Sequence, residues 1–413
     1  MNRRQFLQSA ALLPCALRFQ FTSQPPNIIF ILADDLGCAE LNAYNPTSLI
    51  ATPNIDALAA SGRRFEQAYA PAPVCTPMRN CFHTGRYMDQ QVSLYWPFLE
   101  EGDVTIAHRL TNLGYSCGLF GKWGLGNQYS GLMPLEAGYT TAFHSVADES
   151  EKYPAQLWHN GQLVNVTGYA PDLYLQYALQ FLEDNSDGPF FLNFSSNIPH
   201  VDNQDLDYQV PVSLYEAQPW PQVEQDYASS ISYLDAQVGA IVAKLKQLGI
   251  LDNTLIVFTS DNGISLPRSE FWGTLGLRGH KGDVYEGGIK VPLIIRQPDR
   301  IPTVVNEPMT LVDLHQSFLD VAAGQLFSLE VDPERSLYFG WHSVNGEIRE
   351  AVRAGDWKLV RNGENVELFD LSKDLGETNN LANLYPGQVA ELLAVMDRRC
   401  PEPKRCQVWL PRI

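Results

Sequence analysis

Asn27-Ile28-Ile29-Phe30-Ile31-Leu32-Ala33-Asp34-Asp35-Leu36-Gly37 is the stretch that decides the fold. An apolar run without polar alternation marks a strand buried on both faces, which belongs inside a helix-covered parallel sheet. It ends abruptly in two adjacent carboxylates. Open α/β sheets build their sites at the C-terminal ends of their strands, so Asp34-Asp35 is a candidate site pair. Taken alone, the pair reads equally well as a helix cap or a solvated turn.

Three more runs have the same form. Tyr115 to Phe120 leads into Gly121-Lys122. Pro189-Phe190-Phe191-Leu192-Asn193-Phe194 leads into Ser195-Ser196-Asn197-Ile198-Pro199-His200. Thr254-Leu255-Ile256-Val257-Phe258-Thr259 leads into Ser260-Asp261-Asn262-Gly263. If the four strands are parallel, their polar endings emerge along one edge of one sheet.

The intervening segments supply helices. Thr52-Pro53 opens a short one that closes at Gly62. The longest spans Glu224 to Leu248, with Tyr227, Ile231, Leu234, Val238, Ile241 and Leu245 at alternating steps of four and three. Residues 127–170 carry a weak pattern and read as a long functional loop bearing Tyr, Trp and Gly. Beyond Gly324 short alternating runs with an Asn362-Gly363 turn predict a small antiparallel sheet, followed by one helix. The expected fold class is therefore α/β: a large, mostly parallel central sheet flanked by helices, plus a small C-terminal antiparallel sheet. The expected divisions are an export signal over 1–24, a catalytic domain over 25–323 and a small subdomain over 324–413.

Composition narrows the function classes. Of 413 residues, 45% are hydrophobic and 18% charged, as in a globular chain rather than a disordered or membrane-embedded one. With 29 Lys+Arg against 47 Asp+Glu the formal charge is −18, and no basic stretch offers a nucleic-acid footprint. An anion site in such a chain must be a local cationic pocket. Asn2-Arg3-Arg4-Gln5-Phe6-Leu7 before Ala10-Ala11-Leu12-Leu13 reads as a twin-arginine signal for bacterial export, to the periplasm. The apolar run is too short for stable membrane insertion. The seven cysteines (15, 38, 75, 81, 117, 400 and 406) form no CxxC pair, which argues against zinc. Cys400 and Cys406 bracket a Pro-rich turn and are a candidate disulfide in an exported protein.

The chemistry gathers around Cys75-Thr76-Pro77-Met78-Arg79, which continues to Thr84-Gly85-Arg86. Pro77 suits a first helical turn, whose free N–H groups with Arg79 make an anion site about position 75. Cys75 also reads as a structural cysteine at a helix start. Asp34, Asp35, Asp261 and Asn262 are hard oxygen donors that suit Ca²⁺ or Mg²⁺. Three carboxylates at one spot would otherwise repel and need raised pKa values. Arg79, Lys122 and Lys281 are cations able to hold a tetrahedral anion and neutralise charge developing on it. Singly, the lysines read as surface residues and Arg79 as a helix ion pair. His200, on a loop at a strand end, is a candidate for acid–base work.

The same residues resemble a known family. N-I-I-F-I-L-A-D-D-L-G, C-T-P-M-R, G-K-W, P-H, F-T-S-D-N-G and G-K-G-D-V-Y-E-G-G-I-K-V-P follow the order of the type I sulfatases of the alkaline phosphatase superfamily. The tail, with A-V-R-A-G-D-W-K-L-V, is similar to that family's C-terminal subdomain. The resemblance implies an alkaline-phosphatase-like core and hydrolysis of sulfate esters, here of a sulfated carbohydrate or small molecule. It implies that a formylglycine-generating enzyme oxidises Cys75 to formylglycine. It also implies Ca²⁺ held by Asp34, Asp35, Asp261, Asn262 and residue 75. By the same resemblance Arg79 orients the formylglycine, Lys122 and Lys281 bind sulfate, and His200 with Lys281 assists the departing alcohol. One position departs: the family's usual G-K-W-H-L-G has Gly124 in place of its histidine, thought to accept a proton during sulfate release. His144 and His280 are candidates to replace it. Two alternatives stand beside this reading. One is a phosphodiester or phosphonate monoester hydrolase of the same superfamily; the other is a catalytically impaired homologue that binds sulfated glycans.

Overall fold

The computed structural model describes residues 25–399 except 91–97, 128, 146–150, 203–206, 266–274, 299, 326, 329–334 and 343–346. The export signal and the Cys400–Cys406 pair lie outside the described residues.

Asn27–Ala33 is the central strand, and all seven of its residues are buried. It pairs in parallel with Phe190–Ser195 on one side and Thr254–Ser260 on the other, and Phe190–Ser195 pairs in parallel with Ser116–Gly121. The four sequence-predicted strands are therefore contiguous and parallel, and their C-terminal ends share an edge. Alternation distributes the apolar run between two cores: Ile28, Phe30 and Leu32 join one cluster, Ile29, Ile31 and Ala33 the other. The first core receives Met78 and Phe82 from the helix Cys75–Thr84, and Phe82 stacks on Phe30 at 4.2 Å. The second receives the predicted stripe of the helix Gln222–Gln247, with Tyr227, Ile231, Leu234, Val238, Ile241 and Leu245 all buried in it.

The sheet is larger than the sequence suggests, with ten strands among the described residues. Leu293–Arg296 runs antiparallel beside Thr254–Ser260. Within 127–170, expected as a loop, three described strands instead extend the opposite edge. Thr141–His144 pairs in parallel with Ser116–Gly121, and the hairpin Gln156–His159 and Gln162–Asn165 follows it. That hairpin turns through Asn160-Gly161, both at positive φ. The two-residue Asn-Gly signal was in the sequence. Its flanking strands are short, and the second has no buried residue to give it an apolar pattern.

The C-terminal part is a four-stranded antiparallel sheet of Ser336–His342, Ile348–Ala354, Trp357–Asn362 and Asn365–Asp370. The helix Pro386–Arg399 packs on it through Leu392 and Met396. Its join to the main body is ionic as well as apolar. Lys358, fully buried, lies 2.9 Å from both Glu286 and Glu377, and Glu377 accepts the backbone N–H of Glu286 at 2.7 Å. Removing one member of such a group leaves uncompensated buried charge. Lys358→Met is expected to lower stability by about 3–5 kcal/mol, read as a fall in the denaturant midpoint.

Candidate functional site

Each strand end delivers its group through a specific local device. Asp35 has φ 67°, and its N–H donates to Asp261 Oδ1 at 3.1 Å. This left-handed residue turns the chain sharply just after the strand, a conformation Asp tolerates better than most. At Gly121, φ is 115° and a Cβ would stand 1.9 Å from Ser195 O. Only glycine permits that approach, which lets the Lys122 N–H donate to Ser195 O at 2.7 Å. A Cβ on Gly263 would likewise stand 1.9 Å from Gly287 O, and its N–H donates to Gly288 O at 3.0 Å, fixing the Asp261-Asn262 turn against the short helix Glu286–Ile289.

The helix Cys75–Thr84 is buried along its whole length and ends at Gly85, φ 68°, whose N–H donates to Cys81 O at 2.9 Å. Cys75 is in its first turn and Arg79 one turn on. Arg79 is 2% exposed. Its Nη2 and Nε donate to Asp261 Oδ2 at 2.8 and 3.2 Å, and its Nη1 donates to Lys122 O at 3.2 Å and to Ser195 Oγ.

The remaining ions interlock with these. Lys122 Nζ donates to Asp34 Oδ2 at 2.9 Å and Oδ1 at 3.2 Å. Lys281 Nζ lies 2.8 Å from Asp35 Oδ1 and 2.9 Å from Oδ2, and 3.0 Å from His200 Nε2. His200 Nδ1 pairs with Val201 O at 2.5 Å, so the ring's proton belongs on Nδ1 and Nε2 accepts from Lys281. Lys281 is placed by its own N–H, which donates to Ile264 O, and by the next residue, whose N–H donates to Pro73 O, both at 2.8 Å. Cys75 is near enough to Arg79, Lys122 and Lys281 for a thiolate there to stabilise each of the three cations. The structure thus brings Asp34, Asp35, Cys75, Arg79, Lys122, His200, Asp261, Asn262 and Lys281 into one group.

The electrostatics follow from burial set against charge. Burial raises the Asp34 carboxyl, but Lys122, His200 and Arg79 together hold it well below the usual range. Burial likewise raises Asp35, and Lys281, His200 and Lys122 together reverse it, leaving the carboxyl below the usual range. Asp261 is pushed up to about 7 by burial and by Asp34, only partly relieved by Arg79. Of the three raised carboxyls that mutual repulsion predicts, one is found, because neighbouring cationic groups compensate the other two. Burial lowers His200 to about 4, so its imidazole is neutral near pH 7.

A hard cation fits this donor set. One ligating atom from each of Asp34, Asp35 and His200 lies within 4.8 Å of the others. Asn262 Nδ2 is spent on Asp35 Oδ1 at 2.7 Å and on Gly263 O, while its Oδ1 is buried without a hydrogen-bond partner among the described residues. A buried, orphaned carbonyl oxygen among carboxylates is what a Ca²⁺ or Mg²⁺ ligand looks like before the ion is added.

The two histidines considered for the place of Gly124 each pair Nδ1 with the next residue's carbonyl, as His200 does. Gly124 has φ 74°, in the left-handed region. His144 pairs its Nδ1 with Ser145 O at 2.9 Å and stacks on Trp158. His280 pairs its Nδ1 with Lys281 O at 2.9 Å and lies 3.8 Å from Asp283. Sequence reading passed over two residues. Ser195 is the hydroxyl that accepts from Arg79. Lys152 is fully buried with Nζ donating to Asn197 O at 2.8 Å, next to the Ile198 carbonyl that accepts the Asp34 N–H. Burial lowers the Lys152 ammonium to about 7. Its only sequence signal was a place just before Tyr153-Pro154.

The family model described as Sulfatase matches residues 26–324. The chain is 29% identical to arylsulfatase A of Homo sapiens, covering 91% of this chain and 87% of that protein. It is 26% identical to the N-acetylgalactosamine-6-O-sulfatase of Bacteroides thetaiotaomicron, covering 91% of this chain and 93% of the relative. The crystal structure of Ps i-CgsB in complex with k-i-k-neocarrahexaose aligns with a TM-score of 0.78 and 26% identity over 91% of this chain and 92% of that one. The motifs quoted from the sequence and the fold that joins them agree with these likenesses: the chain belongs to the sulfatase family and is a sulfuric ester hydrolase.

Proposed function

We propose that the protein removes sulfate from sulfated carbohydrates, with residue 75 as nucleophile after oxidation of its cysteine to formylglycine. The observation that carries this reading is that three cations, Arg79, Lys122 and Lys281, each lie within electrostatic reach of Cys75 at the edge where the strands end. The carbohydrate class is supported by the N-acetylgalactosamine-6-O-sulfatase relative and by the carrahexaose-bound structure. Phosphodiester or phosphonate hydrolysis is not favoured by these relatives, and the impaired-homologue reading gives way to an enzyme.

Formylglycine, as a hydrated aldehyde, supplies a hydroxyl nucleophile that a thiol side chain lacks. Asp34, Asp35, Asp261, Asn262 and residue 75 would hold a Ca²⁺ ion, which supplies Lewis-acid polarisation of a sulfate oxygen. The protein's own groups do the rest. Asp34, Asp35 and Asp261 are balanced by Arg79, Lys122 and Lys281, so the free site is near neutral and a divalent cation makes it attractive to an anion. Arg79, fixed by Asp261 and Ser195, braces residue 75. Lys122 and Lys281 neutralise charge on the sulfate oxygens. His200 is neutral and its Nε2 faces Lys281, so the proton for the leaving alcohol comes from the Lys281 ammonium, with His200 orienting it.

Three outcomes are expected. Peptide mass spectrometry finds an aldehyde at position 75 in protein co-expressed with a formylglycine-generating enzyme, and Cys75→Ala abolishes sulfate release; activity that persists in the variant means a different nucleophile. Lys281→Ala lowers kcat/KM by about 10²–10³-fold, with a larger loss on a sugar sulfate than on nitrophenyl sulfate. The asymmetry arises because nitrophenolate leaves without a proton, and equal losses would remove the proton-donor role. Finally, Ca²⁺ added to chelator-treated protein raises the melting temperature more at pH 8 than at pH 5.5. Asp261, held up to about 7, must release its proton to take the ion, at about 1.4 kcal/mol per pH unit below that value. The Ca²⁺-dependent increment is the quantity to compare, and a larger increment at pH 5.5 would count against these ligands.

A further inference from the structure

Among the described residues, most side chains of the site are closed off from solvent. The side chains of Arg79, Asp34, Asp35 and Asp261 are 2% exposed or less, whereas that of Lys281 keeps 20%. A substrate therefore approaches residue 75 along the Lys281 side. Trp341 stands there. Val74, Cys75 and Trp341 form one small apolar cluster, and a Cβ placed on Gly282, the residue after Lys281, would lie 3.4 Å from Trp341 Cζ3.

The ring comes from the C-terminal sheet, where Trp341 faces Arg349 across adjacent antiparallel strands. Arg349 Nη1 donates to Gly282 O and to Asp283 Oδ1, both at 2.8 Å, which ties the Lys281 loop to the strand beside Trp341. Asp283 and Glu347 neutralise Arg349, so this wall is aromatic rather than anion-seeking. Trp341 is 8% exposed, and its indole N–H is buried without an acceptor among the described residues. Buried indoles ordinarily find an acceptor, so a missing one asks for a ligand oxygen.

We propose that Trp341 is a specificity-determining residue: its ring is the wall against which the sugar ring bearing the scissile sulfate rests, and its N–H meets an oxygen of that ligand. A pyranose presents a C–H face that an aromatic ring can cover, and inorganic sulfate presents none. The inference rests on the carbohydrate reading above and adds the residue that enforces it.

The test uses the full-length Cys75→Ser protein with Ca²⁺, titrated calorimetrically with a panel of sulfated monosaccharides including N-acetylgalactosamine 6-sulfate, and separately with inorganic sulfate. Trp341→Leu keeps apolar volume against Val74 and residue 75 but loses the aromatic face, while Trp341→Phe keeps the face and loses the N–H. The Leu variant is expected to weaken sugar-sulfate binding about three- to tenfold with inorganic sulfate unchanged, and the Phe variant to fall between it and the parent. Unchanged sugar affinity in the Leu variant overturns the inference alone. An equal loss for inorganic sulfate also overturns it, since the ring then only props the nucleophile's surroundings. A parent that binds inorganic sulfate but none of the sugars overturns the carbohydrate reading, and this inference with it.

Discussion

Three carboxylates, Asp34, Asp35 and Asp261, are buried at the end of one sheet, and the rest of the site is arranged to make that tolerable. Buried like charges cannot all stay ionised unless cations stand among them. The cations arrive from three separate parts of the chain: Arg79 from a helix, Lys122 from the end of a strand and Lys281 from a Gly-rich loop. None is held by a single contact. Arg79 reaches Asp261, Ser195 and the Lys122 carbonyl, so displacing any one strand end disturbs the partners of the others. The parallel register is therefore an electrostatic requirement as much as a packing outcome.

The position of the C-terminal sheet follows from the same economy. Lys281 lies on a loop whose flank is fastened to that sheet by Arg349, while Glu286, just beyond, is fastened by Lys358. The small sheet thus fixes one of the three cations from outside the main body. It also contributes a side chain to the surroundings of residue 75. Its buried ion group gives orientation rather than bulk stability, which isolated buried pairs seldom add.

Much of this was legible in the sequence, and the reason is physical. Unbroken apolar runs such as Ile28–Ala33 admit few structures other than a doubly buried strand, and a strand's ending fixes where its next side chain emerges. The stripe from Tyr227 to Leu245 was equally unambiguous. The edge strands within 127–170 were not, because edge strands need only one buried face and the outermost has almost none. Lys152 was missed because a lysine advertises exposure, and only the fold reveals that its ammonium is closed in against the Asn197 carbonyl. Trp341 was missed because it is remote in sequence from the Cys75 motif, and its proximity to residue 75 is created by the docking of the last sheet.

The motif helix carries a consequence for the order of events in the life of the chain. Every residue from Cys75 to Thr84 is buried, and the Cys75 side chain is hemmed in by Val74 and Trp341. A second macromolecule that must grip the C-T-P-M-R backbone to alter the cysteine has no surface to hold once the sheet has closed around it. Under the proposed conversion of Cys75, such a modification would fall between synthesis and folding. Variants that fold faster would then leave more of the thiol unconverted, and the yield of converted protein would be a race between two clocks rather than a property of the finished structure.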